Sequence, residues 1–156
     1  AKYYQMFVDK GEYKTNDLFV LAKKYFYVAA TDSVADTKAA AVANALKYVD
    51  MVNEKIADNP RMRILVTLQK AKILQVSDVE KTDGKAVDTY KAVLELLDQD
   101  PNNLIDRKED YILACNYLAN YYFAVGDKES SKAYYLKWLE ADPTNEGLRK
   151  FVEGWK

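Results

Sequence analysis

Apolar residues recur at steps of three and four along most of this chain. Ala45, Val49, Val52 and Ile56 form one stripe, Ala86, Tyr90, Val93 and Leu97 a second, and Ser131, Tyr135 and Trp138 a third. Such spacing collects each set on one face of an α-helix. Ahead of each stripe runs another helical segment with its own recurring pattern: Leu18, Leu21-Ala22 and Tyr25; Thr67, Lys70-Ala71 and Leu74; Cys115, Leu118-Ala119 and Tyr122. The chain therefore reads as a series of helix pairs. Each helix carries one small residue (Ala22, Ala71 and Ala119 in the first helices, Ala45, Ala86 and Ser131 in the second) where two backbones can approach closely. No segment offers a strand of comparable quality.

The breaks between helices are equally regular. Proline turns stand at Asn59-Pro60, Asp100-Pro101-Asn102-Asn103 and Asp142-Pro143-Thr144-Asn145, 41 and 42 residues apart, which is the mark of a repeat. Asn16-Asp17 is placed to cap the first helix of the first pair, Asn59 followed by Pro60 reads as N-cap and N1, and Asp106 with Glu109 resembles a capping box. Gly126 closes the helix that holds Tyr121-Tyr122. The Ala-rich run from Asp36 to Ala45 has high helix propensity and no breaker, so the helix ending near Asp58 should exceed about twenty residues.

Composition narrows the function. With 23 Lys plus Arg against 24 Asp plus Glu, the net charge of −1 supplies no general attraction to nucleic acid, which is not an expected partner. There is no His, so imidazole catalysis and the common zinc ligand sets are closed, and the single Cys115 excludes an intramolecular disulfide framework. Cys115 lies on a packing face and reads as a small hydrophobe. No apolar run is long enough for a membrane-spanning helix. Asp50, Glu54 and Asp58 share one stripe, but alternation with Lys47 and Lys55 makes it a solubilising face rather than a catalytic pair. Arg61, Arg63, Lys70 and Lys72 likewise read as a solvated basic face, and Asp78 to Gly84 lacks the closing Glu of a calcium loop. No cofactor, metal or enzymatic chemistry is expected.

At this point the residues resemble a known family. Leu118-Ala119-Asn120-Tyr121-Tyr122, Gly126-Asp127, Ser131, Tyr135 and Asp142-Pro143-Thr144-Asn145 look like one tetratricopeptide repeat (TPR). Leu21-Ala22-Lys23-Lys24-Tyr25, and Ala86 through Tyr90 to Asp100-Pro101-Asn102-Asn103, repeat parts of the same signature, while Trp138 stands where the family prefers a small residue. The resemblance implies an all-α, right-handed superhelical solenoid of antiparallel helix pairs forming a single domain over 1–156. Its units would cover about 16–60, 61–101 and 104–143. An opening helix over about 1–9, whose Tyr3-Tyr4 matches Tyr134-Tyr135, would precede them. A capping helix over about 144–156 would follow, with Leu148, Phe151, Val152 and Trp155 turned inward. The start at Ala1 suggests a fragment of a longer protein.

TPR solenoids act by shape, the first helices lining a concave groove. By resemblance that groove would contain Phe19, Lys23, Phe26 and Tyr27, then Leu65, Leu68 and Lys72, then Asn116, Asn120 and Phe123, and would bind a peptide segment or partner domain as a non-enzymatic interaction scaffold. The three aromatics of the first unit read equally well as core. Of the positions that form a carboxylate clamp in chaperone-binding members (Phe19 and Lys23, Gln69, Leu113, Tyr117), only Lys23 fits, which disfavours that partner. The alternative function is ligand binding, for example of glycans, by exposed Tyr and Trp rings.

Overall fold

Every regular element among the described residues is an α-helix. The computed structural model describes residues 2–11, 13–56, 59–78 and 80–155, and at 2–4 and 7 the backbone alone. The tyrosine match expected for Tyr3-Tyr4 therefore lies outside the described side chains, as does Asp58 of the acidic stripe. Two compact units are present, residues 1–79 and 80–156. The division falls inside the expected middle repeat of 61–101, between its two helices.

The first unit holds α1 (Lys2–Asp9), α2 (Thr15–Thr31), α3 (Ala35–Lys55) and α4 (Pro60–Ser77). α2 begins two or three residues earlier than Asn16-Asp17 suggested: Lys14 is the N-cap, and its backbone N–H donates to Asp17 Oδ2 at 2.8 Å. Asp17 thus acts from inside the first turn, the reach-back half of a capping box. Asp32 ends α2, and its carboxylate accepts from the Val34 N–H at 2.8 Å, so three residues suffice to turn the chain into the 21-residue α3. So short a connection makes α2 and α3 an antiparallel hairpin. Asn59 caps α4 as expected, its Oδ1 accepting from the Met62 N–H at 3.0 Å with Pro60 at N1. Leu18, Leu21, Ala22, Ala45, Tyr48, Val49, Val52, Val66 and Ile73 form the core. α1 is tied on by Gln5, whose Oε1 accepts from the Tyr48 hydroxyl at 2.5 Å and from Tyr25 at 3.4 Å.

The stripe read on α4 does not hold. Ala71 is buried, but Thr67, Lys70 and Leu74 are not; Ile64, Val66, Leu68, Gln69 and Ile73 go inward instead. The physical reason is that α4 intersperses Arg63, Thr67, Gln69, Lys70 and Lys72 with its apolar residues all round the helix, so its periodicity selects no face, and α4 packs on both α2 and α3.

The second unit holds α5 (Val87–Asp98), α6 (Asn103–Asp106), α7 (Lys108–Ala124), α8 (Lys128–Ala141) and α9 (Glu146–Glu153). Asp106 is the last residue of α6, not an N-cap; α7 starts after Arg107, whose guanidinium pairs with Asp110 at 2.7 Å. The preceding turn explains the extra helix. Asp100 Oδ1 accepts from the Asn102 N–H at 3.0 Å, and Asn103 Nδ2 donates to the Leu97 carbonyl at 3.0 Å, so the turn closes α5 while nucleating α6. Gly126 takes φ +85°, a conformation costly for any residue with a Cβ, and ends α7: its N–H donates to the Phe123 carbonyl and that of Asp127 to Tyr122. Asp127 then caps α8 by accepting from the Ser130 N–H at 3.0 Å, so α7 and α8 form the second hairpin.

All six recurrent small residues, Ala22, Ala45, Ala71, Ala86, Ala119 and Ser131, are 0% exposed. At Ser131 the approach is direct: its hydroxyl donates to the Ala119 carbonyl at 2.8 Å, side chain of α8 to backbone of α7. On α9, Leu148 and Val152 are buried against Ala119 and Tyr135. Trp155 is half-buried and packs on that cluster, whereas Phe151, expected inward, is 47% exposed. A helix of eight residues buries a narrow stripe, and Phe151 sits at its margin.

Candidate functional site

The ten groove candidates fall into different environments. On α2, Phe19 is only 9% exposed and belongs to the core, and Phe26 packs against that core from its edge. These two aromatics support the helix packing. On α4, Leu68 is buried and Leu65 leans on the core, because α4 has two neighbours to cover it. Lys23 and Tyr27 remain outward. Tyr27 is 69% exposed, and Val20, Lys23, Lys24, Tyr27 and Val28 bound an open depression of about 410 Å³ along α2. Lys23 Nζ lies 4.4 Å from the Phe19 ring centroid, a cation–π contact that holds the ammonium over the core edge. Lys72 is half-buried on α4. Two residues before it, Lys70 pairs with Asp50 at 2.7 Å, which neutralises part of the basic face read from the sequence.

In the second unit, Asn116 is half-buried and Asn120 is exposed, with both ends of the Asn120 amide bonded within the protein. Asn120 Nδ2 donates to the Asn116 carbonyl at 2.8 Å and Asn120 Oδ1 accepts from the Tyr135 hydroxyl at 2.9 Å. Asn120 therefore holds the Tyr135 hydroxyl from an exposed position. Phe123, at the end of α7, is 55% exposed, and its ring meets Trp155 edge-on at 5.8 Å. Of its neighbours, Lys128 follows directly at the start of α8, whereas Lys150 and Phe151 lie far from it in sequence. Only the return of the chain through α8 and α9 brings them together, so no local motif announces them.

A polar cluster, buried at Tyr111 and open to solvent at Asp98, joins α5, α7 and α8. The Tyr111 hydroxyl donates to Asp98, whose other oxygen accepts from Lys137 Nζ at 2.6 Å, and the same ammonium lies 5.7 Å from the Tyr111 ring centroid. Burial, then the Asp98 carboxylate, push the Tyr111 phenol above its usual range; burial does the same to Tyr90. Burial also pushes the Cys115 thiol up to about 12, which leaves it an inert thiol at neutral pH. The two tyrosines set an alkaline limit. In the unfolded chain they ionise near their ordinary value of 10.0, whereas in the folded protein they stay protonated to higher pH. Stability from this source is complete below pH 10 and falls above it, by up to about 1.4 kcal/mol per pH unit for each tyrosine. Urea unfolding followed from neutral to strongly alkaline pH should show that decline, and Tyr90→Phe should make it shallower; an unchanged slope would mean another group controls it.

The carboxylates of Asp127 and Asp142 are held below the usual range, by hydrogen bonds from Ser130 and from Lys108 respectively, so both remain ionised as structural acceptors. Among the described residues no three His, Cys, Asp or Glu side chains gather as a metal cluster would need, and no helix is long and apolar enough to cross a membrane. No protein-family model, curated protein or solved structure matches this chain.

Proposed function

We propose that this chain is a TPR-like helical-repeat module that binds a segment of another protein without catalysing a reaction. The reading is supported by the two hairpins, α2–α3 and α7–α8, each closed by small residues with no exposed surface. The observation that carries the binding role is the outer face of α2. Its inward side is fully committed to the core, yet its outward side presents Tyr27 with two valines and two lysines around an open depression. Tyrosine is among the residues most enriched at binding hot spots, and little of this ring is used in packing. Glycan binding asks instead for exposed, roughly coplanar rings, whereas Phe123 and Phe151 meet Trp155 at 74° and 85°.

The test is affinity capture with the intact chain and with a Lys23→Ala, Tyr27→Ala, Lys72→Ala variant, read by quantitative mass spectrometry. All three changes are outside the core, so melting temperature should move little, each costing about 0.5 kcal/mol or less. The expected result is one or more proteins retained by the parent and depleted about tenfold or more with the variant, as for loss of a tyrosine hot spot. Retention that is indifferent to these residues would remove α2 as the binding face.

A further inference from the structure

A second surface, independent of α2, lies where α7 ends, α8 begins and α9 closes back. Phe123, Lys128, Lys150, Phe151, Gly154 and Trp155 line an open depression of about 420 Å³. Its rings brace one another: Phe151 meets Trp155 at 5.1 Å and Tyr135 at 5.1 Å, both edge-on, while Phe123 meets Trp155 at 5.8 Å. Phe123 and Phe151 nevertheless keep about half their surface in water. Two exposed phenylalanines, each against the same Trp155 ring, mark an interaction surface more often than a solvent face.

Charge says what fits. Among the described residues, the only charged side chains in the lining are Lys128 and Lys150, and neither takes part in an ion pair. The nearby Asp127 carboxylate accepts from the Ser130 N–H and serves the start of α8. A cationic group brought over these rings would meet two ammonium groups and is disfavoured. An apolar side chain flanked by carboxylates places each part against its complement, the apolar group on the rings and the acids at the lysines. We propose that this depression binds a short acidic peptide segment through a central Leu or Phe side chain. A peptide suits the shape better than a lipid surface does, because the site is a hollow sized for one or two side chains, whereas membrane insertion calls for a protruding apolar edge.

The experiment uses fluorescein-labelled, end-blocked hexapeptides, DDLFDD with the controls NNLFNN, DDGGDD and KKLFKK, titrated against the whole chain by anisotropy, with tryptophan emission recorded in parallel. DDLFDD should bind saturably and alter the tryptophan emission. NNLFNN should bind about tenfold more weakly, and so should DDLFDD to a Lys128→Gln, Lys150→Gln variant. Phe151→Ser should remove binding, with far-UV circular dichroism and melting confirming that the fold survives; Phe123→Ser at the opposite wall provides the second case. The proposal is overturned if KKLFKK or DDGGDD binds as well as DDLFDD, if the lysine variant is unaffected, or if DDLFDD shows no saturable binding. Binding of phosphatidylserine vesicles in preference to DDLFDD, lost in the same variants, would overturn it in favour of a membrane surface.

Discussion

Leucine in place of Ala119 is expected to destabilise the second unit by about 1–3 kcal/mol or more. Ala119 has no exposed surface, and its carbonyl accepts from Ser131 across the α7–α8 contact at 2.8 Å. Three added carbons cannot fit there without separating the helices. Separation would also break the Ser131 bond, whose net worth is about 1 kcal/mol and whose loss leaves a buried hydroxyl unpaired. For a unit of this size each kcal/mol lowers the melting temperature by about 4–8 °C. Ala133→Leu, at an exposed position of the same hairpin, supplies the control and should change the melt only slightly. Equal melts for the two variants would mean that α7 and α8 do not meet at Ala119.

The second large effect concerns α9. Removing residues 145–156 takes away Leu148 and Val152, whose burial is worth at most about 3–6 kcal/mol by area reasoning and less once the compactness of the unfolded chain is allowed for. It also takes away Trp155, which packs on Tyr135 at 5.7 Å, and the Asn145 cap that accepts from the Leu148 N–H at 3.0 Å. Against a typical domain stability of about 5–15 kcal/mol this is a large share. The shortened protein should melt well below the parent, and the uncovered Tyr135 and Trp138 surface should cause self-association visible by light scattering. A monomer that melts with the parent would make α9 a dispensable tail.

How far the fold could be read ahead of the structure varies from helix to helix. Ala45, Val49 and Val52 are all fully buried, as are Ala86, Tyr90, Val93 and Leu97, because α3 and α5 carry charged residues opposite those stripes and so have one apolar face. α4 has no such asymmetry. Its Thr67, Lys70 and Leu74 match the neighbouring units in spacing, yet Val66 and Ile73 are the residues that α2 and α3 cover. The caps divide in the same way. Asn59-Pro60 and Gly126 act locally and behave as read, whereas Asp106 belongs to a helix that forms only because Asp100 and Asn103 close the preceding turn.

The surfaces were less legible than the helices. Exposure belongs to a residue together with its neighbours, and Phe19, Phe26, Tyr27 and Phe123 have nearly the same chemistry in sequence but opposite fates in space. Helicity, the turn from α7 into α8 at Gly126 and the small residues buried between helices were all legible in the sequence, since periodicity, turn chemistry and side-chain volume are local properties, whereas the Asp32 turn between α2 and α3 was not read there. Only the tertiary structure decided which rings stay in water and that Lys128 and Lys150 flank Phe123 and Phe151. That juxtaposition arises from the return of α9 onto α8, a contact between segments that share no local pattern.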